Sequence, residues 1–294
     1  MHFLYIFAQV MSYQQLWRLL AQTYGEGEAK AIARMVFEIR YGLTFSDILL
    51  GKDTQLSSEH QEDLQEIACR LQNNEPVQYV LGEAVFCGRT FHVAPGVLIP
   101  RPETEELCRW VVQEVEGQCS ISDSQFSTLD IGTGSGCIAI TLAAELPASR
   151  VTAWDISPQA LSIAQENAHR QGVSVAFEQV DVLAPHLSPL TSHLSIIVSN
   201  PPYICNKERA TMEANVLDYE PAQALFVPDD DPLLFYRAIA QYALLALQEG
   251  GRLFFEINPL YADDLREMLC AMRFSRVESR NDAYGKTRMI QAIR

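Results

Sequence analysis

Apolar residues recur at helical spacing in three segments near the start of the chain, Tyr13 to Tyr24, Glu28 to Arg40 and Glu59 to Asn73. Ser58 is expected to be the N-cap of the third segment. The pattern therefore predicts a small helical bundle, which we place at residues 12–75.

Residues 76–102 follow a different pattern, because polar and apolar positions alternate from Tyr79 to Val93 around Cys87-Gly88-Arg89. Alternation with a glycine-containing turn predicts a β-hairpin. Arg101-Pro102-Glu103-Thr104 then leads into the rest of the chain. This stretch is either a proline-stiffened linker or a lid over a ligand, and the sequence leaves both open.

From Glu103 to the C-terminus, short apolar strands alternate with helices, which is typical of a parallel sheet covered by helices on both faces. Residues 103–294 are thus expected to form one α/β domain. The predicted strands end near Ile131, Asp155, Val180, Ser199 and Ile257, and Ser275 to Ser279 and Arg288 to Ile293 are expected to form a last antiparallel pair.

Four polar residues fall at predicted strand ends, namely Asp130, Asp155, Asp181 and Asn200. Because ligands of such sheets bind beyond the carboxyl ends of the strands, their convergence predicts a binding site. Asp155 is placed to accept hydrogen bonds from both ribose hydroxyls of an adenosyl cofactor, either NAD or S-adenosylmethionine. Asp181 is placed to accept from an adenine amino group, with a helix or turn cap as the alternative.

A glycine-rich segment, Gly132-Thr133-Gly134-Ser135-Gly136, joins the first of these strands to an Ala/Leu/Ile-rich helix. Glycines there would let the backbone approach a cofactor closely. A merely tight strand-to-helix turn is the alternative, since the G-x-G-x-G spacing is weak evidence when taken alone.

The segment Asn200-Pro201-Pro202-Tyr203 is the most informative of the chain. Proline fixes φ and holds the preceding residue extended. The Asn200 side-chain carbonyl and the Pro201 backbone carbonyl are then free to accept both protons of a planar NH2 group, with Tyr203 packed against its plane. Such acceptors orient a weakly nucleophilic amino group and stabilise developing positive charge. The segment therefore favours methyl transfer to nitrogen over hydride transfer, and S-adenosylmethionine over NAD.

Composition narrows the classes of partner and cofactor. The formal charge of −15 argues against a nucleic-acid partner, because phosphate binding requires a basic face. Seven scattered cysteines without a C-x-x-C pair fit a reducing cytoplasm, and Cys205 is expected to be a buried thiol rather than a nucleophile. The histidines show no metal-ligand spacing, so we expect no metal.

The apolar segment from Met1 to Val10 is too short to span a bilayer and has no features of a cleaved signal, so no membrane partner is expected. We expect Met11 to be the natural start and the first ten residues to be an extension.

Two stretches carry a family resemblance, Pro76-Val77-Gln78-Tyr79-Val80-Leu81-Gly82 and Val97-Leu98-Ile99-Pro100-Arg101-Pro102-Glu103-Thr104-Glu105. With the Asn200 to Tyr203 segment, they make the chain from about Ser12 onward resemble the protein-(glutamine) methyltransferases of the HemK/PrmC type. The resemblance implies a Rossmann-like class I methyltransferase fold with a mostly parallel seven-stranded sheet, and a helical substrate-recognition domain before it. It also implies methylation, in the cytoplasm, of the glutamine in the Gly-Gly-Gln motif of class 1 peptide chain release factors.

The same resemblance implies roles for individual residues. Residues expected to contact S-adenosylmethionine are Asp130, Gly132, Thr133, Gly134, Ser135, Gly136, Asp155, Asp181, Val182 and Asn200; the residues expected to hold the glutamine amide are Asn200, Pro201, Pro202 and Tyr203. The chain departs from the family pattern at Val227 to Pro232 and at Glu256 to Tyr261, which affects the expected pocket rim. Two other functions remain as alternatives, an adenine-amino methyltransferase of DNA or RNA and a non-catalytic nucleotide-binding module.

Overall fold

The computed structural model describes residues 10–117, 126–185, 187 and 194–294. The predicted N-terminal extension, apart from Val10, and Cys119 lie outside these residues. The chain divides into two compact units, one comprising the chain up to Gly82 together with Glu213–Tyr219, the other comprising Glu83–Met212 and Glu220–Arg294. Within the described residues, no helix is both long enough and apolar enough to cross a membrane.

The first unit is helical, as its sequence pattern indicates. Its helices are α1 (Tyr13–Met35), which continues into a π-helical turn (Val36–Arg40), α2 (Phe45–Leu49), α3 (Ser58–Gln72) and α4 (Val77–Leu81), and the returning segment forms α5 (Ala214–Tyr219). The two predicted N-terminal helices are merged in α1, whose backbone has non-helical dihedrals at Gly25. Ser57 rather than Ser58 caps α3, because the Ser57 hydroxyl accepts from the His60 amide.

The first unit also extends beyond the predicted boundary at residue 75. Val80 of α4 is buried in the same core as Leu16, Leu64 and Leu71. The Arg70 guanidinium, paired with Glu75, donates to the carbonyls of Tyr79 and Val80. These contacts hold α4 in the bundle, so the predicted hairpin begins later than Tyr79.

The second unit opens with that hairpin, in which β1 (Glu83–Phe86) pairs antiparallel with β2 (Arg89–His92) around the Cys87-Gly88 turn. Its further helices are α6 (Pro102–Glu116), α7 (Cys137–Glu145), α8 (Pro158–Gln171), α9 (Ala222–Leu225), α10 (Leu234–Ala246) and α11 (Ala262–Ala271); its further strands are β3 (Phe126–Ile131), β4 (Ser149–Asp155), β5 (Val175–Gln179), β6 (Leu194–Ser199), β7 (Ile204–Cys205), β8 (Phe226–Val227), β9 (Leu247–Glu256), β10 (Ser275–Asn281) and β11 (Thr287–Ile293).

Seven of these strands form one sheet in the order β10-β11-β9-β6-β3-β4-β5. The five strands from β9 to β5 run parallel, and β11 and β10 are antiparallel to their neighbours. β5 ends at Gln179 and β9 at Glu256, each one residue before the predicted end. The central strand β6 is buried along its whole length, as its apolar run predicts for a strand covered on both faces.

The parallel strands bring their carboxyl ends to one edge. Ile131 of β3 is in register with Trp154 of β4 and with Ser199 of β6. Ser199 is in turn in register with Phe255 of β9. The polar residues that end or follow these strands therefore lie at one edge of the sheet, which is where the site predicted from the sequence is expected.

Candidate active site

A cavity of about 500 Å3 lies at this edge. Of the residues expected to bind cofactor or substrate, it is lined by Gly132, Gly134, Asp155, Asp181, Val182, Asn200, Pro201 and Pro202. The structure thus brings together residues from the ends of four strands. The volume of the cavity is in the range of small-molecule sites.

The glycine-rich loop is held rigidly at the cavity wall. The Gly132 and Thr133 amides donate to the Trp154 carbonyl, at 2.8 and 2.9 Å. Gly136 has a φ of +83°, and a Cβ there would lie 2.8 Å from the Ile140 side chain and 3.0 Å from that of Ala164. Only glycine fits this position, because the backbone is left-handed and α7 and α8 pack closely against it.

Asp130 supports this loop from beneath. Its carboxylate is fully buried and accepts from the Thr133 hydroxyl, at 2.6 Å, and from the Ala139 amide, at 3.2 Å. Its other oxygen is buried without a hydrogen-bond partner. Burial raises the pKa of Asp130 to about 7. The structure places Asp130, Thr133, Ser135 and Gly136 behind the cavity wall rather than among its lining residues.

Asp155 faces the cavity from the end of β4. One carboxylate oxygen accepts from the Gly134 amide at 2.8 Å, and the other accepts from the Ser157 amide at 2.9 Å. Burial raises the pKa of Asp155, and these two amide bonds oppose that shift by favouring the charged form. Asp155 therefore ties the glycine-rich loop to the start of α8 and keeps further lone pairs for a ligand.

Asp181 forms one of the two contacts considered from the sequence. Its carboxylate accepts from the Leu183 amide at 2.9 Å, which is a local turn cap. The residue also lines the cavity together with Val182 and Leu183. An adenine contact by Asp181 stays a prediction.

The two ends of the Asn200 to Tyr203 segment are joined by groups that the sequence did not single out. The Asn200 Nδ2 donates to the Thr104 hydroxyl at 3.2 Å, and this hydroxyl donates to the Glu256 Oε2 at 2.6 Å. The Tyr203 hydroxyl donates to the Glu256 Oε1 at 3.0 Å. Tyr203 itself is not among the residues that line the cavity.

Glu256 is buried at the end of β9. Burial raises the pKa of its carboxyl, while the hydroxyls of Thr104 and Tyr203 and the charge of Arg288 favour the ionised form. Desolvation and the neighbouring Glu256 raise the pKa of Tyr203 well above its usual value, so Tyr203 is a neutral donor. Thr104 lies in the Val97 to Glu105 stretch that resembles the family, and Glu256 is the first residue of the Glu256 to Tyr261 stretch. Neither sequence pattern shows that the two side chains meet.

Two further residues of the Glu256 to Tyr261 stretch, Asn258 and Tyr261, also contact this region. Asn258 donates to the Tyr203 carbonyl at 3.1 Å and to the Glu208 carboxylate. Cys205 is buried, as predicted, and its Sγ lies 3.3 Å from the Tyr261 hydroxyl. The segment after Tyr203 is thereby fixed by side chains of the loop that follows β9.

The linker between the hairpin and α6 forms part of the cavity wall through Gly96, Val97 and Leu98. The buried Glu220 carboxylate accepts from the Ile99 amide and pairs with Arg101. Because Pro221 and Ala224 also line the cavity, this ion pair joins two of its walls. Residues 96–98 are therefore a fixed wall in this structure. Of the predicted linker or lid from Arg101 to Thr104, Pro102 to Thr104 form the first turn of α6, and a lid function stays a prediction.

Known proteins resemble this chain in both of its units. Two family models match, the Methyltransferase small domain over residues 118–225 and the PrmC N-terminal domain over residues 13–82. The release factor glutamine methyltransferase of Bacteroides thetaiotaomicron is 47% identical over 94% of this chain and 96% of its own length. That of Flavobacterium psychrophilum is 40% identical over 94% and 96%.

A solved structure shows the same fold at lower sequence similarity. The T. thermophilus 16S rRNA N2 G1207 methyltransferase, in complex with AdoMet and guanosine, aligns with a TM-score of 0.50 and 18% identity, covering 72% of this chain and 49% of that one. Together with the first family model and the sheet order, this likeness shows a class I methyltransferase fold, as the sequence predicted.

Proposed function

The chain belongs to the family of the release factor glutamine methyltransferases, and we propose that it methylates the side-chain amide nitrogen of the glutamine in the Gly-Gly-Gln motif of class 1 peptide chain release factors. The observation that carries the proposal is the position of Asn200, Pro201 and Pro202 on a cavity that Asp155 and the glycine-rich loop also line. This arrangement supports a cofactor site and an amide-binding segment that share one cavity.

The residues of the cavity fit S-adenosylmethionine as the methyl donor. Asp155 supplies a carboxylate at the end of β4, where ribose hydroxyls are bound in such folds. Gly132 and Gly134 have no side chain, so a cofactor can approach their backbone closely. Val182 and Ile156 offer apolar surface for a heterocycle. When bound, S-adenosylmethionine supplies an electrophilic methyl group for in-line displacement.

Asn200 and Pro201 hold the acceptor amide. Because the Asn200 Nδ2 already donates to Thr104, its Oδ1 is the atom left to accept from a glutamine NH2 group. The Pro201 carbonyl accepts the second proton. Two acceptors on one nitrogen orient its lone pair and stabilise the positive charge that grows on it.

No dedicated base is required in this scheme. The amide nitrogen becomes strongly acidic once it is methylated and positively charged, so its proton leaves readily to water. The proposed part of Tyr203 is to pack beside the amide plane, with its hydroxyl anchored on Glu256.

The helical unit is proposed to select the protein substrate. A glutamine on an exposed loop offers few atoms to the cavity, so recognition requires a larger protein contact, on the order of 1,000 Å2 or more. The net charge of −15 supports a protein partner over a nucleic acid. Among the described cysteines all are free, which supports a reducing cytoplasm as the place of action.

A competition assay tests this function against adenine methylation. The enzyme would be incubated with methyl-labelled S-adenosylmethionine, a release factor, and equal amounts of unmethylated DNA and RNA. We expect the label in the release factor alone. Label in the nucleic acid would favour the adenine-amino alternative, and cofactor binding without any transfer would favour a non-catalytic module.

A further inference from the structure

A hydroxyl and a carboxylate connect the two ends of the proposed amide-binding segment. Thr104 on α6 and Glu256 on β9 are 152 residues apart, and their side chains lie 2.6 Å apart, oxygen to oxygen. Both residues are buried. Asn200 is bonded to Thr104 and Tyr203 to Glu256, so a continuous chain of hydrogen bonds runs Asn200-Thr104-Glu256-Tyr203.

The direction of each bond follows from the number of protons available. The Glu256 carboxyl oxygens accept from the Thr104 and Tyr203 hydroxyls, so Thr104 gives its single hydroxyl proton to Glu256. The Thr104 oxygen can then only accept from Asn200, which means that Asn200 must turn its NH2 group toward it. The reverse orientation of the Asn200 amide would set its carbonyl against an oxygen that has no proton left to donate.

We propose that Thr104 and Glu256 are positioning residues for methyl transfer, which fix the side-chain amide of Asn200 so that its Oδ1 is presented to the substrate amide and anchor Tyr203 beside it. This inference rests on the proposed function and deepens it. A flipped Asn200 would present N–H donors to the N–H donors of the substrate glutamine, and the acceptor would be lost.

The alternative is a purely structural role, in which the buried pair only holds α6 against β9. The two roles differ in what they change. Loss of a structural contact lowers stability, whereas loss of orientation lowers turnover in the bound complex and leaves the affinity for the release factor and for the cofactor largely as it was.

Variants of Thr104 separate these roles. Thr104→Val keeps the shape and removes the hydroxyl, while Thr104→Ser keeps the hydroxyl. We expect kcat for release factor methylation to fall roughly 10- to 100-fold in Thr104→Val. This fall in kcat is smaller than the fall that follows removal of a group that itself stabilises charge in the transition state. KM for the release factor and Kd for S-adenosylmethionine should change less than threefold, and Thr104→Ser should restore most of the rate.

Two further variants complete the test. Glu256→Gln keeps the size of the side chain and allows the Asn200 amide to turn, so a loss of kcat similar to that of Thr104→Val is expected. Thr141→Val is the matched control, because Thr141 is a buried threonine of α7 whose hydroxyl has no hydrogen-bond partner in the structure. Its kcat should equal that of the wild type.

The inference is wrong if Thr104→Val has a kcat within twofold of the wild type. It is also wrong if Thr104→Ser is as impaired as Thr104→Val, or if the rate falls only in proportion to the folded fraction in thermal unfolding. Failure of the proposed function has a different signature, since the wild type itself would then not methylate the release factor. In that case, NMR of asparagine side-chain NH2 groups decides. The Asn200 NH2 protons should exchange slowly with water in the wild type and in Thr104→Ser, and fast in Thr104→Val. Equal exchange rates in all three proteins would refute the inference.

Discussion

Replacement of Asp155 by alanine tests the cofactor site most sharply. In the structure, the Asp155 carboxylate accepts from the Gly134 and Ser157 amides and lines the cavity. The substitution removes this support of the loop together with the proposed acceptor for the two ribose hydroxyls. Both effects weaken binding of S-adenosylmethionine, and neither belongs to the transition state alone.

The magnitude follows from the bonds lost. Hydrogen bonds to a charged acceptor contribute about 1.5–3 kcal/mol each. Loss of two ribose bonds would therefore cost about 3 kcal/mol at the lower end of this range. A loss of about 3 kcal/mol corresponds to a rise in Kd of about 100-fold. The two amides that lose their acceptor lie beside the cavity, where water can replace the carboxylate, so the loss of folding stability should be only about 1 kcal/mol.

Calorimetric titration with S-adenosylmethionine measures the Kd, and methyl transfer at saturating cofactor measures kcat. We expect a Kd raised about 100-fold and a kcat lowered less than tenfold in Asp155→Ala. Glu145→Gln is the matched control, because it removes a carboxylate of α7 that pairs with Arg89 on the surface and is not among the residues lining the cavity. An unchanged Kd with a large fall in kcat would refute the role assigned to Asp155.

Three further outcomes are expected. Asn200→Ala should lose on the order of 3 kcal/mol of transition-state stabilisation, a rate loss of about 100-fold or more in methyl-transfer assays, with little change in melting temperature; near-normal turnover would contradict its role. Because the pKa of Asp130 is raised to about 7, the folded protein retains a proton that the unfolded chain releases above about pH 4. The contribution of Asp130 to the free energy of unfolding therefore falls by about 4 kcal/mol between about pH 4 and pH 7. In urea titrations, the free energy of unfolding of Asp130→Asn should depend less on pH than that of the wild type. A short Gly-Gly-Gln peptide should have a kcat/KM at least 100-fold below that of the folded release factor, and equal values would rule out recognition by the helical unit.

The strand ends and the Asn200 to Tyr203 segment could be predicted from the sequence because each depends on local pattern. An apolar run predicts a buried strand, and the polar residue after it must lie at the sheet edge. Asp155 and Asn200 were found in this way. The parallel sheet, its antiparallel last pair and the helical first unit follow from the same kind of pattern.

The contacts between distant residues could not be predicted in this way. Nothing in the spacing of Thr104 and Glu256 shows that they share a hydrogen bond, since the contact depends on how α6 packs against the sheet. The same holds for Glu220, whose pairing with Arg101 spans 119 residues. Asp130 likewise lies next to the last residue of β3, close to the predicted strand end. Its carboxylate is nevertheless turned beneath the glycine-rich loop, which only the hydrogen bonds with Thr133 and Ala139 show.

We propose that this site methylates one glutamine nitrogen of a release factor. Tandem mass spectrometry of a release factor incubated with S-adenosylmethionine and the wild-type enzyme or Asn200→Ala tests it most directly. We predict one added methyl group, located on the side chain of the Gly-Gly-Gln glutamine, with the wild type only. A methyl group on any other residue, or the same modification at an undiminished rate with Asn200→Ala, would contradict the account.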